Sequence, residues 1–386
     1  MKNYDVIIAG YTCVDLFPVF SRLPPSKNIT DILKPGKLIE IDGYSFEPGG
    51  VVPNVGLVLK KFGKNVFMNS LVGEDPMGDV LIKLFDNYDV SEGIKTTKKA
   101  GTGFSIVIAL PGIDRIFFES TGCNELFDYS CINFDAVSQC KIFHFGYPPL
   151  LKQFYLNGGR QLVKVFSETR RLGAVTSLDF SLPDPASESG RIDWPELMQN
   201  VLPLTDIFVP SLEEALNIMM PNEYDKMLSE YEDGEIIDQI PEDVIRKLGS
   251  LIIDAGVKIL MIKAGHRGLY LFTGNVSNVN ERKGINLSEK DWSYRKMWCK
   301  AYPADPSKII NASGAGDTAV AAFLTAILDG YAPESSLKYA AMAGRNSLFH
   351  SYIYEDLSDW QTLTKEIRST TNKIVPLLNE KSKIDL

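Results

Sequence analysis

Hydrophobic residues occur along the chain in two alternating patterns. Short runs rich in branched and aromatic residues are typical of strands, and they predict strands at 6–9, 66–72, 141–145, 174–180, 206–209 and 259–262. Longer stretches with apolar residues at helical spacing predict helices at 52–62, 77–85, 151–172, 241–255 and 318–328. Because apolar strands alternate with helices, we expect an α/β fold with a mostly parallel, doubly wound sheet.

One region departs from this rhythm. Residues 103–110 and 115–119 alternate between apolar and polar side chains, and the turn sequence Pro-Gly-Ile-Asp at 111–114 joins them. This pattern predicts a β-hairpin. Two interpretations are open, a flap over a binding site and an ordinary surface hairpin.

Two segments have the composition of insertions. Residues 221–243 contain nine acidic side chains and one lysine, and residues 274–305 mix Gly, Asn, Ser and basic residues with two tryptophans. We expect both to be solvated excursions, the second partly packed through its tryptophans. No internal repeat is visible, and we expect residues 1–386 to form a single domain with these two insertions.

Composition excludes several classes of protein. Hydrophobic residues make up 45% of the chain and charged residues 23%, which is typical of a folded globular protein. The net charge of −9 lacks the broad positive field of a non-specific nucleic-acid binder. The longest apolar stretch, 319–328, is about half the length that a membrane-spanning helix needs. Five cysteines without a CxxC pair favour a reducing, cytoplasmic location.

The loop at 311–317, Asn-Ala-Ser-Gly-Ala-Gly-Asp, is the sharpest chemical signal. Gly314, Ala315 and Gly316 can present backbone N–H groups to an anion where a helix begins. Asp317 would then lie beside the anion and accept a proton from a hydroxyl, a pairing that suits phosphoryl transfer. Taken alone, the loop slightly favours an ordinary helix start capped by Ser313.

Further motifs give this loop a context. They are, in chain order, Asp15 after the first strand, Gly49 and Gly50 followed by Asn54, Gly-Glu-Asp-Pro-Met-Gly at 73–78, Pro210 with Glu214, and Lys263 with Gly265 and Gly268. Together with the 311–317 loop, this ordered set over most of the chain resembles the ribokinase-like, PfkB-type carbohydrate kinase family. The resemblance implies a three-layer α/β/α fold with a small β lid, formed by about 16–45 and 100–120. In this family the lid often forms a homodimer contact.

The resemblance also implies roles for residues at the matching positions. Asp317 would be the catalytic base, with Gly314, Ala315 and Gly316 stabilising the transferring group. The sugar pocket would contain Asp15, Gly49, Gly50 and Asn54. The nucleotide would bind at Gly265, Gly268 and Lys263, and Glu214 would help to hold Mg²⁺, partly through water.

Each of these positions also has a purely structural interpretation. Asp15 can cap a turn, and Asn54 can be a polar residue near a helix start. Glu214 can complete a capping box with Ser211, and Lys263 can be a solvated strand-end charge. The three histidines show no metal-ligand spacing, so a histidine-rich metal site is not expected.

The expected function is an ATP-dependent sugar kinase. It would transfer the γ-phosphoryl group of MgATP to a hydroxymethyl group of a fructose- or ribose-like sugar or polyol. A nucleoside or other small-molecule kinase is the alternative within enzymes, and a catalytically inactive regulatory or binding protein is the alternative outside them. Asn311 and Ala312 stand where the family usually has Asp and Thr, which puts a neighbouring K⁺ site in doubt.

Overall fold

The structure is a computed structural model of the chain, and it describes residues 3–20, 22–24, 26, 28–110, 116–231, 236–310, 312–350, 354 and 356–377. The predicted hairpin turn at 111–114, together with Arg115 and Asn311, lies outside these residues.

The described strands follow one another from the first residues to the last. They are β1 (Tyr4–Gly10), β2 (Cys13–Val19), β3 (Gly43–Gly49), β4 (Val66–Gly73), β5 (Ile94–Thr97), β6 (Phe104–Ile108), β7 (Ile116–Ser120), β8 (Cys140–Gly146), β9 (Val175–Leu178), β10 (Ile207–Phe208), β11 (Ile259–Lys263), β12 (Leu269–Thr273), β13 (Lys296–Cys299) and β14 (Ile374–Pro376).

Helices connect most of these strands. They are α1 (Ile29–Ile32), α2 (Val51–Lys61), α3 (Pro76–Asp86), α4 (Phe134–Val137), α5 (Lys152–Arg171), α6 (Trp194–Val201), α7 (Leu212–Met219), α8 (Pro221–Glu230), α9 (Glu242–Asp254), α10 (Ser277–Asn280), α11 (Glu289–Trp292), α12 (Ala315–Leu328), α13 (Pro333–Ser347) and α14 (Trp360–Ser369).

A large mixed sheet forms the centre of the fold. Its order is β14-β13-β12-β11-β10-β9-β8-β1-β4-β5. The strands from β11 to β5 run parallel, whereas β12, β13 and β14 pair antiparallel at one edge. All eight residues of β4 are buried, as expected for a strand covered on both faces. The prediction of an α/β fold with a mostly parallel sheet is confirmed.

A smaller sheet packs beside the first. It has the order β3-β2-β6-β7, in which β6 and β7 form the described part of the predicted hairpin. The strand β2 lies between an antiparallel neighbour, β3, and a parallel neighbour, β6. No helix among the described residues is both long and apolar enough to cross a membrane.

The single helix predicted at 151–172 is wrong in its first half. Residues 156–159 leave the helical conformation, and Asn157, Gly158 and Gly159 have φ values of 54°, 64° and 72°. The sequence Asn-Gly-Gly adopts this left-handed region at little steric cost. A Cβ on Gly159 would also stand 2.7 Å from the Leu197 side chain, so glycine permits a close approach to α6.

The segments predicted as solvated excursions are more packed than expected. Tyr224 and Met227 of α8 are buried, and Trp292 is 1% exposed. Trp298 lies in β13, a strand of the large sheet, and its ring stacks on Tyr270 with a centroid distance of 5.7 Å. Apolar residues spaced among charged ones therefore anchor both segments to the main body.

Candidate active site

Four neighbouring parallel strands bring polar side chains to one edge of the large sheet. Tyr147 follows β8, Asp179 follows β9, Glu214 lies in the first turn of α7 after β10, and Lys263 ends β11. The carboxyl ends of parallel strands are the usual place for ligands in such sheets. The N-terminus of α12 meets this edge through Asp317.

The predicted anion loop leads into the start of α12, where the Ala315 N–H donates to the Ala312 carbonyl at 3.4 Å. Gly314 is the N-cap, with φ 72°, and the first regular helical bond runs from the Thr318 N–H to the Gly314 carbonyl at 2.8 Å. The N–H groups of Gly316 and Asp317 therefore have no acceptor within the helix. A Cβ on Gly316 would be 3.7 Å from the Lys263 Nζ. Backbone donors and a lysine ammonium thus lie together.

Both carboxylate oxygens of Asp317 accept hydrogen bonds. The Tyr147 hydroxyl donates to Oδ1 at 2.7 Å, and the Asn54 amide donates to Oδ2 at 2.9 Å. Asp317 is only 5% exposed. The sequence predicted that Asn54 lies in the sugar pocket, and no motif indicated Tyr147. Tyr147 follows the predicted strand at 141–145, and that position was the only available signal for it.

Lys263 is not a solvated charge. Its ammonium donates to Asp179 Oδ1 at 2.7 Å, and the two side chains are 13% and 0% exposed. Burial opposes the charged form of Lys263, but the carboxylates of Asp179, Glu214 and Asp317 raise its pKa overall. Burial raises the pKa of Asp179 to about 6, against the opposing effect of the Lys263 charge. The structural alternative given for Lys263 is therefore wrong.

Glu214 does form the predicted capping box. The Ser211 N–H donates to Glu214 Oε2 at 2.7 Å, and the Glu214 N–H donates to Ser211 Oγ at 3.2 Å. Burial raises the pKa of Glu214 to about 7, while Lys263 acts in the opposite direction. The structural interpretation is thus confirmed, and a role toward a metal remains a prediction.

A cation bound to phosphate requires oxygen ligands, some of which the protein can supply. Among the described residues, no group of three or more His, Cys, Asp or Glu side chains is arranged to hold a metal ion by itself. Asp179 Oδ2 and Thr318 Oγ1 are buried without a hydrogen-bond partner in the described part of the chain. A buried carboxylate oxygen without a partner, such as Asp179 Oδ2, fits a cation that keeps water and phosphate ligands, which is the usual behaviour of Mg²⁺.

Asp15, Gly49 and Gly50 form a second cluster at the start of α2. A Cβ on Gly49 would be 2.3 Å from Asp15 Oδ2, and a Cβ on Gly50 would be 2.7 Å from the Tyr11 carbonyl oxygen. Gly50 has φ 88° and caps α2, whose first turn carries Asn54. The short segment 49–54 therefore connects the surroundings of Asp15 with those of Asp317.

Gly265 and Gly268 lie in the turn between β11 and β12, with φ values of 50° and 96°. A Cβ on Gly268 would be 2.1 Å from the Cys299 carbonyl oxygen, so the packing of β13 alone requires glycine there. Among the described residues, only the Ile237 side chain, at 3.6 Å, lies near a Cβ built on Gly265. A contact of either glycine with a nucleotide stays a prediction.

The fold is a mostly parallel α/β sheet whose strand ends meet a glycine-containing helix start with an aspartate in its first turn. The sequence over residues 13–359 matches the family described as pfkB family carbohydrate kinase. The chain therefore belongs to the pfkB family of carbohydrate kinases, and the resemblance found in its motifs is confirmed.

Individual relatives are distant and differ in their acceptors. A probable chloroplastic fructokinase-6 of Arabidopsis thaliana is 23% identical over 323 residues, covering 83% of this chain and 69% of that protein. An ATP-dependent 6-phosphofructokinase of Thermoanaerobacterium thermosaccharolyticum is 22% identical over 366 residues, covering 94% and 93%. The structure of a putative ribokinase II of E. coli in complex with ATP and Mg²⁺ superposes with a TM-score of 0.66 at 20% identity, covering 95% and 100%.

Proposed function

We propose that the protein is an ATP-dependent kinase that phosphorylates a hydroxymethyl group of a fructose- or ribose-like sugar or polyol. One observation carries this proposal. A carboxylate, Asp317, stands in the first turn of α12 beside free backbone N–H groups and the Lys263 ammonium. A base next to an anion-binding helix start suits the transfer of a phosphoryl group to a hydroxyl.

The residues divide the reaction between them. The acceptor oxygen would attack the γ-phosphorus while its proton passes to an Asp317 oxygen, and the bond to the bridging oxygen breaks to release ADP. The backbone donors of Gly314, Ala315 and Gly316 would stabilise charge on the transferring group, and Lys263 would add a positive charge nearby. The acceptor would be oriented by Asp15, Gly49, Gly50 and Asn54.

The nucleotide end of the site is proposed to use ATP and Mg²⁺. Mg²⁺ would neutralise phosphate charge, and the residues that would hold its water ligands are Glu214 and Asp179. Gly265 and Gly268 would lie beside the nucleotide. The E. coli protein of the same fold, whose structure is a complex with ATP and Mg²⁺, supports the use of both by this chain.

The smaller sheet is proposed to be the lid over the acceptor and the contact of a homodimer. On one of its faces, Leu16 pairs in register with Phe46 and Ile106, and Ile106 pairs with Phe118, which is 58% exposed. A row of half-buried apolar side chains that ends in an exposed phenylalanine suits a protein interface. Light scattering should give a mass of about twice the 42.9 kDa of one chain, and a monomer at micromolar concentration would contradict the dimer.

The decisive experiment is the substitution Asp317→Asn. ADP release with MgATP and a panel of sugars, polyols and nucleosides would be measured, with phosphorylated products identified by mass. We expect kcat to fall by about 10³ because a general base is lost, with acceptor affinity nearly unchanged. The control Asp254→Asn, at the exposed end of α9, should retain full turnover. If Asp317→Asn retains turnover within tenfold of the wild type, the assignment of Asp317 as the catalytic base is contradicted.

The same panel tests the two alternatives. Nucleoside-dependent ADP release would favour a nucleoside kinase, since the same catalytic loop can serve other hydroxyl acceptors. Tight binding of ATP without any product would favour a regulatory protein, which is motivated by the departures at Asn311 and Ala312 and by Ser211, where the family usually has asparagine. Intact Asp317, Glu214 and anion-loop residues favour the enzyme.

A further inference from the structure

The smaller sheet carries a row of carboxylates on the face that includes Asp15. Asp15 pairs in register with Glu47 of β3 and with Ser105 of β6, and Ser105 pairs with Glu119 of β7. Residues directly opposite each other on adjacent strands point to the same face. Three carboxylates and one serine hydroxyl therefore cross all four strands, and we call these residues the acidic row.

The carboxylates of the acidic row act on the buried side chains of Tyr11 and Cys13 beside Asp15, in the proposed acceptor pocket. Burial, then Asp15 and Glu119, raise the pKa of the Cys13 thiol, and burial with Cys13 and Glu119 raises that of Tyr11. Burial and Glu119 raise the pKa of Asp15 to about 6, against the opposing effect of a hydrogen bond from Cys13. The groups that act most strongly on these three side chains are thus acidic or neutral, and none of them is basic.

A buried hydroxyl beside this row indicates a ligand. Tyr11 is 2% exposed, and burial, the charges of Cys13 and Glu119 and side-chain hydrogen bonding with both raise the pKa of its hydroxyl, although no described residue stands in full hydrogen-bond geometry with it. Buried polar groups are nearly always satisfied by protein, water or ligand. A hydroxyl of a bound acceptor or an ordered water would complete the hydrogen bonds of this group, and Gly49 and Gly50 allow the backbone to approach Asp15 and Tyr11 closely.

From these observations, and resting on the kinase function proposed above, we propose that the acceptor is an unphosphorylated sugar or polyol and that Glu119 selects against sugar phosphates. A phosphate group carries a charge of about −1.5 to −2 at neutral pH. Placed against the acidic row it would meet repulsion, whereas neutral hydroxyl groups can donate hydrogen bonds to the same carboxylates. Membership of the family does not decide this question, since one relative is a probable fructokinase and another a 6-phosphofructokinase.

Matched acceptors test the inference on the full chain. The compounds are D-fructose with its 1- and 6-phosphates, and D-tagatose with its 6-phosphate, each of which keeps a free hydroxymethyl group. Binding would be measured by calorimetry with Mg²⁺ and a non-hydrolysable ATP analogue, and turnover by ADP release. We expect affinity and kcat/KM at least about tenfold higher for an unphosphorylated sugar than for its phosphates.

Charge variants test the role of Glu119. The ratio of kcat/KM for an unphosphorylated sugar to kcat/KM for its phosphate should fall about tenfold in Glu119→Lys, because kcat/KM for the phosphate rises. The ratio should fall less in Glu119→Gln. Glu119 is exposed, so the near-isosteric glutamine variant should fold normally even if the lysine variant does not. The control Glu281→Lys makes the same charge change at an exposed position at the end of α10 and should leave the preference unchanged.

The outcomes separate the inference from the proposed function. A preference for a sugar phosphate, with turnover, would overturn the inference and support the kinase. Tighter binding of the unphosphorylated sugar without turnover would support the inference and contradict the kinase. Absence of binding by every compound would overturn both, and an unchanged preference in both Glu119 variants would overturn the role of Glu119.

Discussion

Two donors distant in sequence fix the orientation of the Asp317 carboxylate. The Tyr147 hydroxyl is 170 positions away along the chain and the Asn54 amide is 263 positions away. Tyr147 has φ 63°, a left-handed conformation that is uncommon for a residue with a side chain. Backbone strain at such a position is typical of functional sites, and here it accompanies the hydrogen bond to the proposed base.

We therefore predict that Tyr147→Phe impairs turnover. Without the hydroxyl, one oxygen of Asp317 loses its partner and the carboxylate loses its fixed direction, so kcat should fall about tenfold or more while KM changes little. Steady-state kinetics with the acceptor found by the panel would measure both. Tyr294→Phe is the matched control, because Tyr294 also has a positive φ, 57°, but is 74% exposed. Equal kcat values for the two variants would exclude a positioning role for Tyr147.

Sequence motifs found the loop residues of the site and missed the pairings between strands. Asp317, Gly314 and Glu214 stand in short local patterns whose geometry follows from the start of a helix. The contact between Lys263 and Asp179 joins the ends of two strands 84 positions apart, and no local pattern encodes it. From the sequence, Lys263 could be either a solvated charge or a phosphate contact. In the structure it is buried in an ion pair with Asp179.

At the scale of elements, the motif at 73–78 has a structural explanation. Asp75 caps α3 by accepting from the Gly78 N–H at 2.9 Å, and it also accepts from the Thr102 N–H at 2.7 Å. A Cβ on Gly78 would be 2.0 Å from the Gly73 carbonyl oxygen. The motif thus ties the start of α3 to the segment that leads into β6 of the smaller sheet.

Helix bounds were predictable where the apolar period is bounded by glycine, proline or a capping side chain. The helices α2, α3 and α9 lie within one or two residues of their predicted bounds, since composition and spacing indicate the same element. The helix predicted at 151–172 failed because its apolar period continues across Asn-Gly-Gly, and local backbone preference overrides that period. The sequence Asn-Gly-Gly at 157–159 by itself indicates a break in the helix.

At the scale of the whole molecule, the parallel half of the sheet was predictable and the antiparallel edge was less so. Buried parallel strands form continuous apolar runs that stand out in any sequence. The strands β13 and β14 have only four and three residues, and β13 lies inside a segment whose polar composition indicated a loop. Short edge strands are determined by pairing with a neighbour rather than by their own pattern.

The carboxylates of the site reduce the stability of the fold at neutral pH. Burial raises the pKa of Asp15 and Asp179 to about 6 and that of Glu214 to about 7. The folded state therefore holds protons that the unfolded chain has already released, so these groups lower the free energy of unfolding as pH rises from about 4 to 7. His144 acts in the opposite direction, since burial lowers its pKa to about 3.

The contribution of Asp15 to the pH dependence of stability can be isolated by comparing a variant with the wild type. We predict that Asp15→Asn is more stable than the wild type at pH 8. The pKa of Asp15 is 3.8 in ordinary surroundings and about 6 in the fold. Below about pH 3 the side chain is protonated in both states, and above pH 6 the fold must hold a buried charge. The gain in unfolding free energy, measured by urea titration, should be about 3 kcal/mol at pH 8 and vanish below about pH 3. Acceptor turnover should fall in the same variant, because the proposed pocket loses its carboxylate. A lower stability of Asp15→Asn at pH 8, relative to wild type and to Asp254→Asn, would show that Asp15 stabilises the fold.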